Sequence, residues 1–177
     1  VDVFSSMAQE VLDYTQSDSR LERRPVKLDA YLEEIERHLS PPGLSRAVEI
    51  ITRREHVGDL TIDVDPGRFA RVFQNLVNNA IDAIEEHGGS RIVIDVKPDG
   101  EVVRFSVCDD GPGVPPDKVT AIFEPFMTTK ARGTGLGLAI VTHIVEIHGG
   151  SIHYETGPEG GACFVFTVPV SQQSAAS

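Results

Sequence analysis

One long amphipathic helix constrains the fold of this chain more than any other stretch. Asp65 and Pro66 form a start signal, an N-cap residue followed by the imino acid that the first helical position tolerates. Gly88 and Gly89 form a stop signal, because glycine readily takes the left-handed conformation that ends a helix. Between the two signals the apolar residues recur at the i, i+3, i+4 spacing of one helix face. They are Phe69, Val72, Phe73, Leu76, Val77, Ala80, Ile81 and Ile84. The sequence therefore predicts a helix over residues 66–87, here named the asparagine helix, that buries one face.

The border of this apolar face carries polar side chains. At about 100° per residue, Asn75, Asn79 and Asp82 fall along one edge, whereas Asn78 points nearly the opposite way. A plain surface helix has no need for neutral amides beside its buried face. We therefore expect a functional site along this edge, with Asn78 facing solvent.

The remaining patterns predict an α/β (α+β) two-layer sandwich. Strands are expected at residues 48–51, 60–64, 91–96, 102–108, 151–155 and 162–168, and further helices at residues 1–20, 29–39 and 136–148. Asp29 is the expected cap of the second of these helices. Because the helices interrupt mostly antiparallel strands, the order fits a mixed, mostly antiparallel sheet with helices on one face. It does not fit a doubly wound parallel sheet.

Composition limits the partners and the compartment. The net charge of −11 argues against nucleic acid, whose phosphates require clustered Lys and Arg. The sequence shows no signal peptide and no apolar stretch long enough to cross a bilayer, so we expect a cytoplasmic location without membrane contact. Cys108 and Cys163 lie in apolar strand-like runs, and two buried reduced thiols are favoured over a disulfide.

Glycine-bearing stretches follow strands or precede helices, where ligands commonly bind. Asp109-Asp110-Gly111-Pro112-Gly113 follows a strand, and a buried Asp109 carboxylate can only accept hydrogen bonds, as from an exocyclic amino group. Gly133-Thr134-Gly135-Leu136-Gly137-Leu138 runs into a helix, here named the glycine helix, whose free N–H groups favour an anion. Lys130 lies three residues upstream of it. Gly160-Gly161 by itself indicates only a turn.

A long connection separates the first two glycine stretches. Residues 114–132, here named the lid, are mostly polar but contain Ile122-Phe123-Glu124-Pro125-Phe126. Connections of this length between regular elements are usually functional. We interpret the segment as a cover over a ligand, anchored by Phe123 and Phe126.

Five ordered motifs resemble the catalytic ATP-binding domain of bacterial sensor histidine kinases, and are similar to its nitrogen-regulation-like subclass. They are Asn75-x-x-x-Asn79-Ala80, Asp109-x-Gly111-x-Gly113, Phe123-x-x-Phe126, Gly133-x-Gly135-x-Gly137-Leu138 and Gly160-Gly161. Each motif alone is weak, but their shared order and spacing over roughly Val26 to Val170 make the resemblance specific. It implies the Bergerat ATP-binding fold of the GHKL superfamily, which includes gyrase, the heat-shock chaperone and the mismatch-repair ATPases.

The resemblance implies an ATP site between the asparagine helix, the lid and the glycine helix. Asn79 would coordinate Mg²⁺, Asn75 would support the phosphates or the metal, and Asp109 would accept a hydrogen bond from the adenine amino group. Lys130, near the γ-phosphate, would complete the catalytic set with Asn75 and Asn79. The other residues expected at the nucleotide are Asp82, Gly111, Gly113, Phe123, Phe126, Thr128, Thr129, Gly133, Thr134, Gly135, Leu136, Gly137 and Leu138.

One position distinguishes a kinase from an ATPase within the superfamily. Hydrolysing relatives carry a glutamate four residues before the metal asparagine, where it activates water, and this chain carries Asn75, which cannot act as a base. Phosphoryl transfer to a good nucleophile depends mainly on positioning and charge neutralisation. The resemblance therefore favours a kinase. Two positions depart from the family pattern: Asp82 stands where a basic residue is common, and Ala162 where Ser or Thr is common.

The phosphorylated histidine is expected outside this chain. None of its six histidines is followed by Asp or Glu, as the family's phosphoacceptor would be. Residues 1–24 resemble the truncated tail of the second dimerisation helix, and residues 25–170 resemble the catalytic domain. Residues 171–177 are expected to form a disordered tail. The partners implied are the upstream phosphoacceptor helices, a second copy of the intact protein, and the receiver domain of a response regulator. Two alternatives remain open: a non-catalytic nucleotide-binding scaffold and an anti-sigma-type serine kinase.

Overall fold

The computed structural model describes residues 21–39, 48–128 and 133–171. The expected helix over residues 1–20, Thr129 and Lys130 of the lid, and residues 172–177 of the expected disordered tail lie outside these ranges. Ser171, the first residue of that tail, is instead ordered: it is buried, and its N–H donates to the Thr61 carbonyl at 2.8 Å. The elements in chain order are β1 (Arg24–Lys27), α1 (Leu28–Leu39), β2 (Glu49–Arg54), β3 (Thr61–Val64), α2 (Pro66–His87), β4 (Arg91–Asp99), β5 (Val102–Asp109), a 3-10 turn (Ala121–Phe123), α3 (Gly137–Ile147), β6 (Ile152–Thr156) and β7 (Ala162–Pro169). The asparagine helix is α2 and the glycine helix is α3.

Five strands form one mixed sheet in the order β2-β4-β5-β7-β6. β2 pairs with β4 in parallel, and the three other pairs are antiparallel. β1 and β3 form a separate antiparallel pair, which meets the end of β7 through a bridge between Ile62 and Val170. The predicted mixed, mostly antiparallel sheet is confirmed.

The apolar face of α2 packs on one face of this sheet through four phenylalanines. Phe69 and Phe73 of α2 contact Phe105 of β5 and Phe166 of β7, with ring centroids between 5.5 and 6.0 Å apart. Phe105 and Phe166 are opposite each other in the β5–β7 register and stack at 4.9 Å. All four rings are fully buried. Each contributes about 1.5–3 kcal/mol by burial, and together they fix how α2 lies across the two central strands.

Two local expectations differ from the structure. α1 begins at Leu28, so the expectation that Asp29 caps the helix is wrong; Asp29 lies in the first turn. Its carboxylate is 2.7 Å from the guanidinium of Arg54, and an acidic residue in a first turn also interacts favourably with the helix dipole. β4 continues to Asp99, three residues beyond the expected end of that strand at residue 96, and the hairpin turns at Gly100, where φ is 62°.

The expectation of two reduced cysteines is also wrong for this structure. Cys108 of β5 lies directly opposite Cys163 of β7, with a Cα–Cα distance of 4.0 Å, and the structure joins their sulfurs in a disulfide. The two residues are 55 positions apart in sequence. Only the antiparallel register of β5 and β7 makes them neighbours, and no local pattern encodes that register.

Candidate functional site

The polar edge of α2 is held by a capped and packed helix. Asp65 is the N-cap, as predicted, and its Oδ1 atom accepts a hydrogen bond from the Arg68 N–H at 3.1 Å. Asn75 and Asn79 are half-buried at the border of the core, while Asn78 is exposed, as its angular position predicts. Asp82 is also exposed.

The two half-buried asparagines face the first residue of α3. A methyl group at Gly137 would lie 3.7 Å from Oδ1 of Asn75 and 3.8 Å from Nδ2 of Asn79. The amides and the start of α3 therefore line one space. Because Gly137 has no side chain, the two amides can lie close to the backbone at the start of α3.

The same stripe of α2 continues to the end of β5. Ala83, one turn beyond Asn79, lies 3.8 Å from the position that a methyl group on Gly111 would take. Residues 75, 79 and 83 thus form one row with a glycine facing each end of it. The structure brings the predicted Asp109–Gly113 stretch and the predicted glycine helix to opposite ends of this row, which we name the asparagine row.

Asp109 is the last residue of β5 and is only 7% exposed. Its Oδ1 atom accepts hydrogen bonds from the N–H groups of Gly111 at 2.9 Å and Ala162 at 3.2 Å. Among the described residues, none donates a hydrogen bond to Oδ2. Burial raises the pKa of Asp109 above its ordinary value, although the two N–H donors oppose the shift. A buried acceptor with one oxygen available suits a ligand that donates a hydrogen bond.

The glycine pair before β7 explains how Ala162 reaches Asp109. A methyl group on Gly161 would overlap the backbone carbonyl of Asp109. Only glycine therefore allows the start of β7 to approach the end of β5 this closely. In sequence the Gly160-Gly161 pair indicates a turn; in the structure it also orients the Asp109 carboxylate.

Asp110 is a structural residue of the site that the sequence did not identify. Its carboxylate accepts hydrogen bonds from Ser90 N at 2.8 Å, Ser90 Oγ at 3.2 Å and Arg91 N at 2.9 Å. Burial alone would raise the pKa of Asp110, but these donors outweigh it and hold the pKa below its ordinary value. The side chain thus ties the segment after α2 to the end of β5. In the sequence, Asp110 stands out only as a second acidic residue directly after Asp109.

The lid is fastened by one of the two predicted aromatic anchors. Phe123 is half-buried against the core, with its ring 6.2 Å from that of Phe164 in an edge-to-face arrangement. Phe126 is 64% exposed, so the expectation that its ring anchors the lid is wrong. Its φ of 68° turns the ring outward while its N–H donates to the carbonyl of Gly135 at 2.9 Å. The backbone of Phe126, rather than its ring, holds the lid.

The start of α3 follows the predicted glycine stretch closely. Leu136 is buried, and Leu138 and Thr134 are half-buried. The hydroxyl of Thr134 accepts a hydrogen bond from Leu136 N at 3.3 Å. Gly133 and Thr128 are exposed on the solvent side of the same region. Since Gly137 faces Asn75 and Asn79, the start of α3 lies beside the asparagine row, and the free N–H groups of a helix N-terminus favour an anion.

Neither a protein-only metal cage nor a membrane span occurs in the described ranges. Within residues 21–39, 48–128 and 133–171, no three or more His, Cys, Asp or Glu side chains are grouped so that they could hold a metal ion. No helix in these ranges combines the length and apolar character needed to cross a bilayer.

Comparison with known proteins gives consistent matches. Residues 64–172 match the family described as Histidine kinase-, DNA gyrase B-, and HSP90-like ATPase. The chain is 36% identical over 172 residues to the sensor histidine kinase ZraS of Klebsiella oxytoca, covering 97% of this chain and 37% of that protein. It therefore spans little more than a third of the length of this relative.

Two solved structures share the fold over nearly the whole chain. The structure of full-length ShkA in complex with AMPPNP matches with a TM-score of 0.81 and 31% identity, covering 95% of this chain and 36% of that one. The histidine kinase ThkA in complex with the response regulator protein TrrA matches with a TM-score of 0.78 and 29% identity, covering 98% of this chain and 48% of that one.

Proposed function

Because the chain belongs to the family of Histidine kinase-, DNA gyrase B-, and HSP90-like ATPases, we propose that it is the ATP-binding catalytic domain of a sensor histidine kinase. In the intact protein it transfers the γ-phosphate of ATP to a histidine on a dimerisation helix. The observation that carries the proposal is the asparagine row, with the Asp109 carboxylate beyond one end and the start of α3 at the other. This arrangement offers an acceptor for a base and a helix N-terminus for phosphates.

Asp109 selects adenine in this proposal. Its Oδ1 atom already accepts two backbone hydrogen bonds, so Oδ2 accepts the hydrogen bond of the exocyclic amino group. Guanine carries a carbonyl at the corresponding position, and two acceptors cannot bond each other. Gly111 and Gly113 let the backbone approach the flat face of the base.

Asn75 and Asn79 serve the phosphate end of the same row. Amide oxygens suit Mg²⁺, which keeps several waters and is usually held by one or two protein oxygens together with phosphates. Asn79 would hold the ion with support from Asn75, and the bound ion would neutralise charge on the phosphate oxygens. Asp82, exposed on the same edge, would face the phosphates only across the metal.

The other nucleotide contacts are proposed from position. Phe123 and the backbone of Phe126 hold the described part of the lid. Thr128, together with Thr129 and Lys130 outside the described residues, is proposed to contact the γ-phosphate. Gly133, Thr134, Gly135, Leu136, Gly137 and Leu138 line the triphosphate side. Lys130 supplies a positive charge that offsets charge on the transferred group.

Transfer to histidine is favoured over hydrolysis because Asn75 is not a base. An imidazole acceptor is itself a good nucleophile, so the domain needs only to position ATP and neutralise its charge. We further propose that the intact protein is a homodimer and that this domain lies in the cytoplasm. The phosphoryl group then passes to the receiver domain of a response regulator. The complex of ThkA with TrrA supports this partner class, because ThkA shares the fold and 29% of the sequence.

The proposal is tested by nucleotide binding and by transfer in trans. Calorimetry of the chain with Mg·AMPPNP should give a saturable heat, and Asp109→Asn should abolish it at the same concentrations. Asp117→Asn, an exposed carboxylate in the lid, is the matched control and should bind as the parent does. No heat at millimolar nucleotide would contradict ATP binding.

Transfer separates the kinase from the scaffold alternative. The chain is mixed with a separately produced pair of dimerisation helices from the intact protein and γ-labelled ATP. Labelling of a histidine on those helices supports the kinase. Binding without labelling supports a scaffold, and label on a serine of another protein supports the anti-sigma type.

A further inference from the structure

His148 joins the two helices of the site at the end remote from the asparagine row. It follows the last turn of α3 and is only 2% exposed. Its Nδ1 atom lies 2.6 Å from the carbonyl oxygen of Ile144, and its Nε2 atom lies 2.9 Å from the backbone nitrogen of Asp65, the N-cap of α2. The ring also packs against Phe69, with centroids 5.6 Å apart.

The two partners fix the protonation state of the imidazole. A backbone N–H can only donate, so Nε2 must carry a lone pair to accept from Asp65. A carbonyl oxygen can only accept, so Nδ1 must carry the proton that Ile144 receives. The ring is therefore neutral with its hydrogen on Nδ1. Protonation of Nε2 would place a hydrogen against the Asp65 N–H and break the bond between the helices.

The hydrogen bond between His148 and Asp65 lies at one end of the helix pair, and the candidate site lies at the other. At about 1.5 Å per residue, His148 lies roughly 16 Å along α3 from Gly137, and Asp65 lies roughly 15 Å along α2 from Asn75. Gly137 faces Asn75 and Asn79 at one end of the pair, while His148 bonds Asp65 at the other. A rotation at the bonded end is therefore carried along both helices to the space where the nucleotide binds.

Residues 22 and 23, which precede β1 and are here named the entering segment, contact the same two helix ends. The N–H of Glu22 donates to Oδ2 of Asp65 at 3.2 Å, and the guanidinium of Arg23 donates to the carbonyl of Ile147. Arg23 thereby satisfies one of the free carbonyls at the C-terminus of α3, where a positive charge also complements the helix dipole. Residues 22 and 23 thus bridge the N-terminus of α2 and the C-terminus of α3.

We propose that His148 is a positioning residue for nucleotide binding and that, with Asp65 and Arg23, it forms a clamp that holds α3 against α2. The inference rests on the proposed function, because the ligand that it positions is Mg·ATP. His148 touches no part of the site itself and acts only through the angle between the two helices.

The surroundings of His148 favour its neutral form. Burial lowers the pKa of His148 below its ordinary value of 6.5, although the hydrogen bond to the Ile144 carbonyl acts in the opposite direction. The charged groups that act on the ring are Arg23 of the entering segment, Asp65 at the helix cap and Arg68 in the first turn of α2. The two arginines oppose a positive imidazole, and Asp65 favours one. The clamp is therefore closed at neutral pH and opens only in acid.

Three variants of the chain test the clamp. His148→Phe keeps a ring against Phe69 but removes both hydrogen bonds, and His148→Gln keeps an acceptor for the Asp65 N–H. His38→Gln is the matched control, because the exposed ring of His38 makes the same local bond to a carbonyl four residues earlier, that of Glu34, at 2.7 Å. Arg23→Ala removes the third member of the clamp. It keeps the inference testable if the His148→Phe chain does not fold.

Calorimetry with Mg·AMPPNP at pH 7.5 should separate these variants. His148→Phe should weaken binding roughly 10- to 100-fold, the scale on which small displacements from distant substitutions act. His148→Gln and His38→Gln should stay within about threefold of the parent. Arg23→Ala should fall between these and His148→Phe, because it removes one contact at the helix C-terminus and leaves the His148–Asp65 bond in place. The parent should lose affinity relative to His148→Gln as the pH falls through the lowered pKa of His148. Comparing the two chains at each pH cancels the titration of the nucleotide. Nitrogen-detected NMR of the parent should show the Nδ1–H tautomer.

The outcomes distinguish this inference from the proposed function. A parent chain that binds no nucleotide overturns the proposed function and the positioning role together. A parent that binds, with folded His148→Phe and Arg23→Ala chains binding equally well, overturns the inference alone. An Nε2–H tautomer would also overturn it, because that form cannot accept from Asp65.

Discussion

The backbone N–H of Phe126 donates to the carbonyl oxygen of Gly135 at 2.9 Å, so two residues nine positions apart in sequence are in direct contact. Gly135 lies so close that a methyl group on it would be 2.5 Å from the carbonyl carbon of Phe126 and 2.7 Å from the nitrogen of Met127. Its φ of 71° is also one that side chains disfavour. The base of the lid therefore depends on a glycine at this position.

Gly135→Ala should detach the base of the lid. The left-handed conformation costs about 1–2 kcal/mol for a residue with a side chain, and the overlap with backbone atoms adds to it. We expect a lower free energy of unfolding and weaker Mg·AMPPNP binding, measured by denaturation and calorimetry. Gly58→Ala is the control, since a methyl group there meets nothing within 4 Å. Equal stability and affinity for the two variants would show that the contact is unimportant.

Asp109→Asn should weaken nucleotide binding without lowering the free energy of unfolding. Loss of a hydrogen bond to a charged acceptor costs about 1.5–3 kcal/mol, so nucleotide affinity should fall by at least tenfold. The free energy of unfolding at neutral pH should be unchanged or higher, because burial penalises the carboxylate that the amide replaces.

The pH dependence of this stability difference has a definite sign. Since the pKa of Asp109 is raised in the folded protein, the folded state takes up the proton first as the pH falls. The advantage of Asp109→Asn should therefore be largest above the folded pKa and shrink as the pH falls through it. Urea denaturation at several pH values measures the difference, and an advantage that grows in acid would refute the burial argument.

Asp110→Ala should destabilise the domain with the opposite pH dependence. The variant leaves the N–H groups of Ser90 and Arg91 without their acceptor, a loss of about 1–3 kcal/mol. Because the folded pKa is lowered, the wild-type contribution is full above the ordinary value of 3.8 and is lost as the pH falls through the folded pKa. Asp117→Ala in the exposed part of the lid is the control. The idea fails if the two variants unfold at the same denaturant concentration.

Gly137→Ala should weaken nucleotide binding without weakening the fold. The added methyl group makes ordinary contacts with Asn75 and Asn79, and alanine stabilises a helix by roughly 0.5–1 kcal/mol over glycine. The methyl group would also stand between the start of α3 and a phosphate bound there, so the phosphate would lie farther from the helix N–H groups. Gly67→Ala in the first turn of α2 makes the same exchange away from the site, with its methyl 3.7 Å from Asp65 Oδ1. Calorimetry should separate the pair, and unchanged affinity for Gly137→Ala would mean that the phosphates bind elsewhere.

Local patterns predicted the elements but not how their ends meet. The apolar spacing and cap signals of the asparagine helix gave its bounds, because a helix repeats within a few residues. The exposed position of Asn78 and the half-buried positions of Asn75 and Asn79 follow from the same period. Phe126 shows the limit, since its left-handed φ reverses the direction of the ring, and the φ depends on a contact with Gly135 nine residues later.

The sequence by itself predicted the asparagine helix, the glycine helix, the order of the strands along the chain and the residue types that we propose for adenine, phosphate and metal. These depend on spacing and on chemical groups. The tertiary structure alone decided the disulfide between Cys108 and Cys163, the bonds of Asp110 to Ser90 and Arg91, and the contact of His148 with Asp65. Each of these joins residues 19 to 83 positions apart. Such contacts arise from strand register and helix packing, which are cooperative properties of the whole core and leave no periodic mark on the residues that make them.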